Sequence, residues 1–183
     1  AGPSTGVPTK TEQGDLWQML GAGHGDYPRV IAAPTEIIDC FKILPEIFNL
    51  TDRFQCPGIV LNDLLLSEGT GSVDPEDLDF DVEIDRGELI TSSNGTEGYK
   101  RYEINESGVS PRAIPGVPHH MHTASTDEHD EDGVLISDEF TNPLKRRAMM
   151  EKRQRKVKGI EASVPPPELM GDPGAEVTLI GWG

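Results

Sequence analysis

Apolar residues in the first third of the chain recur at two different spacings, and the switches between them mark alternating helices and strands. Leu16, Met19 and Leu20 share one face of a helix that Thr9 or Thr11 is placed to cap. Gly21 to Asp26 breaks that helix, and Arg29-Val30-Ile31-Ala32-Ala33 is a short apolar run of the kind buried in a parallel sheet. Pro34 ends the strand. Thr35 stands as N-cap of a helix running to about Arg53, in which Ile37, Ile38, Phe41, Leu44, Ile47 and Phe48 keep a helical period. Pro45 lies inside it and should kink it. Gly58-Ile59-Val60-Leu61-Asn62 is the next buried strand. A strand, a helix and a strand joined by short loops imply a right-handed crossover and a parallel sheet, so the fold class is α/β.

The pattern then changes. Residues 67–133 are dominated by acidic residues, Gly, Ser and Asn, with short strand-like pieces at Asp81 to Ile84 and Tyr99 to Ile104. This reads as an acidic connector ordered against a partner surface. Residues 141–160 form a basic helix in which Met150, Val157 and Ile160 recur on one side. Pro165-Pro166-Pro167 is a stiff spacer before Val177 to Gly181, which has a buried-strand pattern. A first residue that is not Met and a final strand with no following element give the expectation that the chain is an internal piece of a longer one.

Charge narrows the function classes. The formal net charge is −16, with only seven lysines. Such a surface repels nucleic acid and anionic membranes, so neither is expected as a partner. Acidic excess with few lysines also suits a high-salt cytoplasm, and a halophilic source is expected. Cys40 and Cys56 lack a redox or metal spacing and read as reduced, buried thiols. No apolar run reaches membrane-spanning length and no secretory signal is present, so the compartment is read as cytoplasm. The sequons at Asn49, Asn94 and Asn105 are then chance matches.

Four segments could carry chemistry. Gly2-Pro3-Ser4-Thr5-Gly6-Val7-Pro8-Thr9-Lys10 offers backbone N–H groups and hydroxyls to a carboxylate or phosphate, or is an ordinary turn leading into a helix. Lys10 is misplaced for a nucleotide-binding P-loop. Gly23-His24-Gly25-Asp26 could bring an imidazole and a carboxylate to a ligand, or could be solvent-exposed loop. His119, His120, His122 and His129 lie among Asp127, Glu128, Asp130 and Glu131. These are metal-donor types, but no two of the histidines have the helical i, i+4 spacing, and a dedicated metal site is not expected. His122 and His129 read better as a loop reaching into an active site. Lys145 to Lys158 holds eight of the sixteen cations without aromatics, which favours intramolecular or intersubunit charge pairing over RNA binding.

In order along the chain, several landmarks resemble the α subunit of the 2-oxoacid:ferredoxin oxidoreductases, a thiamine diphosphate-dependent family. They are Gly2 to Gln13, His24-Gly25-Asp26 with Pro28-Arg29, Cys40-Phe41, Pro57 to Asp63, Gly108 to Gly116, Glu128-His129-Asp130-Glu131 with Gly133, Met150 to Lys156, and Gly181-Trp182-Gly183. Pro45 departs from the helix-favouring residue expected there, and residues 67–100 match poorly.

The resemblance implies that residues 1–66 are the end of a pyrimidine-binding domain, 67–173 a connector, and 174–183 the start of a transketolase C-terminal-like domain. It implies oxidative decarboxylation of a 2-oxoacid to an acyl-coenzyme A, with electrons passed to ferredoxin. Thiamine diphosphate would be shared with a β subunit that also holds an iron–sulfur cluster. Gly2, Pro3, Ser4, Thr5 and Gly6 would face the substrate carboxylate, and His24, Asp26, His122 and His129 would belong to active-site loops. No residue of the chain is assigned a catalytic role. A non-catalytic α/β assembly module and a metal-dependent enzyme using His119 to Glu131 stand as the rivals.

Overall fold

The computed structural model describes the chain except Ala1, Pro3, Thr11, Gln13, Asn94, Thr96, Glu97, Ser125, Thr126, residues 136–141, Trp182 and Gly183. The expectations placed on Pro3, Thr11, Asn94, Trp182 and Gly183 therefore lie outside the described residues.

The parallel unit expected near the N-terminus is present. Strand β1, Val30–Ala32, pairs in parallel with β2, Gly58–Val60, matching Val30 to Gly58, Ile31 to Ile59 and Ala32 to Val60. Helix α2, Ile37–Phe54, makes the crossover and packs on both strands. Gly58 has a packing reason. A Cβ there would come within 2.6 Å of Ile47 Cγ2 and 2.5 Å of Thr51 Cγ2, so its absence lets β2 lie against α2. The helix runs through Pro45, which removes one intrahelical donor. Its cap differs from the expected one. Glu36 is the N-cap, while the Asp39 carboxylate reaches back to accept from Thr35 N–H at 2.9 Å. Helix α1 spans Asp15–Gly21 and begins after Gly14 rather than at Thr9, and its Trp17 is exposed.

Residues 67–133, expected to be a connector, are organised by side chains more than by strands. Asp81 to Ile84 and Tyr99 to Ile104 are not strands; the pair that forms is β3, Leu89–Ile90, parallel to β4, Arg112–Ala113. Residues 80–85 lie along α2 instead. Phe80 meets Phe41 edge-on at 5.2 Å, and Asn49 donates to Glu83 O and accepts from Asp85 N–H. Polar side chains thus satisfy backbone that a strand ladder would otherwise satisfy.

Between them lie α3, Leu64–Glu68, capped by Asp63, and a single 3₁₀ turn at Pro75–Asp77. Helix α4, Pro143–Ser163, is the expected basic helix, capped by the Asn142 carboxamide at Leu144 and Lys145 N–H. Its buried positions are Met149 and Lys152, while Met150, Val157 and Ile160 are half-buried. The face is displaced because α4 packs on a polar loop as well as on α2, where Gly159 receives the Phe54 ring. Val177, Leu179 and Ile180 are exposed and form no strand, since no neighbouring strand is placed to pair with them among the described residues. Cys40 and Cys56 are free thiols, half-buried rather than buried.

Candidate functional site

The N-terminal loop closes on itself. Gly2 N–H donates to Lys10 O at 2.6 Å, and Ser4 and Thr5 are exposed between them. Gly6 has φ +74° with nothing within 4 Å of an added Cβ, so a ligand could approach its backbone closely. Among the described hydrogen bonds none ties this loop to the rest of the chain. His24 and Asp26 are exposed on the following loop, whose base is held firmly. Tyr27 OH donates to Ala22 O at 2.8 Å. The Arg29 guanidinium donates to Met19 O and Ala22 O at the C-terminal end of α1 and lies 4.2 Å over the Tyr27 ring. A cation is favoured there by the partial negative charge of the carbonyls at a helix C-terminus.

The histidine-rich segment forms an aromatic cluster. His129 packs against Tyr102 with ring centroids 4.0 Å apart and the rings tilted by 51°, and His122 stands edge-on to the same tyrosine at 6.3 Å. Tyr99 takes His120 at 4.9 Å and His122 at 6.0 Å. His129 Nδ1 donates to Asp127 O at 2.8 Å, because a carbonyl can only accept. The structure thus brings His122 and His129 together through Tyr102. No described contact joins them to His24, Asp26 or the Gly2–Gly6 loop.

The neighbouring carboxylates are engaged with cations. Glu128 pairs with Arg153, Asp130 with Lys145 at 2.9 Å, and Glu131 with Lys100 at 2.9 Å. Among the described residues no group of three His, Cys, Asp or Glu could hold a metal. Burial raises the Asp130 carboxyl, but Lys145 and the N–H groups of Val134 and Asp132 outweigh it and hold the pKa below the usual range. Glu131 and Asp132 raise the pKa of Lys100.

Sequence reasoning missed a second constellation, beneath α4. Lys152 is 6% exposed, and its Nζ donates to Ser110 Oγ at 2.5 Å and to Tyr102 O at 2.8 Å. Gln55, the left-handed residue that ends α2 with φ 48°, is a hub. Its carboxamide donates to Ser110 O at 2.6 Å and accepts from Arg101 at 2.8 Å, while its carbonyl accepts from Lys156 at 3.0 Å. These residues surround a cavity of about 250 Å3 that also reaches Cys56 and His129. Burial lowers the Lys152 pKa to about 8, helped by Lys156, Arg101, Arg153 and Arg155. Burial also pushes the Cys56 thiol up, against the pull of Lys156. The available signal was the apposition of two landmarks, Gly108-Val109-Ser110 and Met150 to Lys156, which sequence spacing cannot pair.

Residues 1–149 match the family model described as pyruvate flavodoxin/ferredoxin oxidoreductase, thiamine diphosphate-binding. The chain belongs to this family. Among its relatives, this pyruvate flavodoxin/ferredoxin oxidoreductase-family chain is 41% identical to the α subunit of 2-oxoacid:ferredoxin oxidoreductase 2 from Aeropyrum pernix, over all of this chain and 28% of that protein. It is 34% identical to the 2-oxoglutarate oxidoreductase subunit KorA of Mycobacterium tuberculosis, again over all of this chain and 27% of the relative. A solved 2-oxoglutarate:ferredoxin oxidoreductase from Magnetococcus marinus, with 2-oxoglutarate, coenzyme A and succinyl-CoA bound, superposes with a TM-score of 0.74. That comparison has 34% identity and covers 94% of this chain and 29% of the other. The chain therefore spans between a quarter and a third of the length of the relatives it matches.

Proposed function

We propose that this chain serves in the α subunit of a thiamine diphosphate-dependent 2-oxoacid:ferredoxin oxidoreductase, which converts a 2-oxoacid and coenzyme A to an acyl-CoA and carbon dioxide and passes electrons to ferredoxin. The family match over residues 1–149 carries this reading. The relatives' names support the reaction class, and the Magnetococcus marinus complex supports a 2-oxoacid and coenzyme A as substrates. A β subunit is the proposed partner, contributing the iron–sulfur cluster and part of the cofactor site. Residues 1–66 are proposed as the end of the pyrimidine-binding domain, 67–173 as the connector, and 174–183 as the start of the next domain.

Within this chain, the roles proposed are binding and positioning. Gly2, Pro3, Ser4, Thr5 and Gly6 form the loop that binds the 2-oxoacid carboxylate, with the N–H groups of Ser4, Thr5 and Gly6 and the two hydroxyls as donors, a set that fits an anionic group and leaves the cofactor rings to other residues. The openness around Gly6 and the exposure of Ser4 and Thr5 support this role. His24, Asp26, His122 and His129 are proposed active-site loop residues that orient substrate and exclude water. When bound, thiamine diphosphate supplies the carbanion chemistry that decarboxylation needs. The acidic surface is proposed as an adaptation to a salt-rich cytoplasm.

The test is an assay of the α subunit carrying this sequence, co-purified with its β partner, in high salt. Reduction of ferredoxin or a viologen should require a 2-oxoacid, coenzyme A and thiamine diphosphate together. Ser4→Ala with Thr5→Val should raise KM for the 2-oxoacid about tenfold, the loss of one or two charge-assisted hydrogen bonds, with little change in melting temperature. A complex loaded with cofactor and cluster that turns over no 2-oxoacid would refute the proposed activity.

A further inference from the structure

The cavity beneath α4 has the opposite charge to the molecule around it. The chain carries a formal charge of −16, yet Arg101, Lys152, Arg153 and Lys156 line this cavity and no Asp or Glu does among the described residues. Arg153 is matched by Glu128 at its edge. Arg101, Lys152 and Lys156 make no ion pair among the described residues and meet only neutral acceptors. Arg101 bonds Gln55 Oε1, Lys156 bonds Gln55 O, and Lys152 bonds Tyr102 O and Ser110 Oγ.

Lys156 uses one of its three ammonium donors this way and Lys152 two, so donor capacity remains for a guest. Three half-buried or buried cations without a counter-ion repel one another and are poorly solvated. The depressed pKa values of Lys152 and Lys156, both caused first by burial and then by the surrounding cations, agree with this geometry. A helix–loop junction of such charge is stabilised by an anion.

We propose that this cavity binds a compact phosphate-type dianion, held by Lys152, Lys156 and Arg101. The cavity volume of about 250 Å3 accommodates a phosphate group, and the unused donors of Lys152 and Lys156 can hold only the anionic part of a guest. The guest is therefore inorganic phosphate or the phosphomonoester end of a ligand that extends outward. Bound there, it links the end of α2, the 101–110 loop and α4 through one counter-charge. The inference rests on this chain's own residues and does not depend on the reaction proposed above.

Cys56 lines the same cavity and Cys40 does not, so the two thiols report occupancy and its control. The assembled oxidoreductase would be alkylated with iodoacetamide in chloride, in inorganic phosphate and in adenosine monophosphate at matched ionic strength, with the sites resolved by mass spectrometry. Isothermal calorimetry with phosphate would be run in parallel. Phosphate is expected to release binding heat and to slow Cys56 several-fold relative to Cys40. Protection by adenosine monophosphate as well would assign the phosphomonoester form, and protection by phosphate alone the inorganic one. Lys156→Gln and Arg101→Gln should each weaken phosphate binding about tenfold, while Lys156→Arg keeps it. The proposal fails if calorimetry of the wild-type complex detects no phosphate binding. It fails equally if both Gln variants bind phosphate as the wild type does.

Discussion

Lys152 donates to Ser110 Oγ at 2.5 Å, joining the middle of α4 to a loop residue 42 positions earlier, with both side chains buried. The same ammonium also holds Tyr102 O, the backbone of the tyrosine against which His129 packs. Around this pair, Gly108 passes beneath the helix, Gln55 caps α2, and Glu128 and Asp130 hold Arg153 and Lys145. The charged landmarks between residues 101 and 131 therefore act first as a clamp on α4. That clamp also fixes the aromatic cluster carrying His122 and His129.

Gly108 tests how closely the loop and helix fit. It has φ +79°, and a Cβ there would collide with the Lys152 carbonyl oxygen, which is backbone and cannot move aside without shifting α4. Gly116 has φ +94° with nothing within 4 Å of an added Cβ. Gly116→Ala should cost only the left-handed strain, about 1–2 kcal/mol. Gly108→Ala should cost more and should loosen α4. Denaturant midpoints of the two variants, in the assembled protein, should differ in that order; equal midpoints would mean that the loop does not press on the helix.

The depressed pKa of Lys152 predicts a particular pH dependence. In the unfolded chain the amine keeps its proton up to the ordinary lysine value of 10.5, whereas in the fold burial lowers the pKa to about 8. Between these values the unfolded state binds more protons, so this group makes stability rise with pH; below about 8 its unfavourable contribution is complete. In chloride buffer, the wild type should therefore gain stability relative to Lys152→Met as pH rises from 8 toward 10.5. A difference between the two proteins that stays constant over that range would show that Lys152 is not titrating there.

Gln55 concentrates three hydrogen bonds on one side chain and carbonyl, and its backbone sits at φ 48°. Gln55→Gly relieves the backbone while deleting the two carboxamide bonds, and Gln55→Asn keeps an amide that is too short to reach. Both should destabilise, by about 1–3 kcal/mol for the unpaired Ser110 carbonyl and Arg101 donor, with Asn the worse tolerated in the 101–110 loop. Hydrogen exchange should show faster exchange in residues 101–110 in both variants. Unchanged exchange would place the support of that loop elsewhere.

The parts of the fold legible in the sequence were those whose cause is local. Ile31 and Ile59 sit in apolar runs that are intelligible without knowing their neighbours, and the pairing of their strands follows from the helix between them. The basic helix was legible for the same reason, as was its use of its cations in ion pairs. What stayed hidden depends on distant residues. Asp81 to Ile84 has strand-forming residues, but Asn49 on α2 supplies the hydrogen bonds that a neighbouring strand would have supplied. Val177 to Ile180 has a buried pattern, but among the described residues nothing covers Val177, Leu179 or Ile180. Met149 and Lys152 replace Met150 and Val157 as the inward positions because α4 meets a polar loop, and hydrophobic periodicity cannot register a buried lysine. The histidines suggested a metal by composition, whereas the carboxylates beside them are drawn to cations on a helix outside the segment.

Ion pairing in this acidic chain should divide by burial when salt is raised. Glu128 and Arg153 have side chains 24% and 27% exposed, while Arg147 and Glu151, one turn apart on the outer face of α4, are 77% and 56% exposed. Screening acts strongly on charges surrounded by water and weakly on charges largely withdrawn from it. A double-mutant cycle with Glu128→Gln and Arg153→Gln should return a coupling of about 1 kcal/mol or more that survives molar salt. The matching cycle at Arg147 and Glu151 should return about 0.3–0.5 kcal/mol in dilute buffer and nothing measurable in molar salt. If the inner coupling vanishes with salt as the outer one does, Glu128 and Arg153 are not the clamp they form in the fold, and the hold on α4 must come from Lys152 and Gln55.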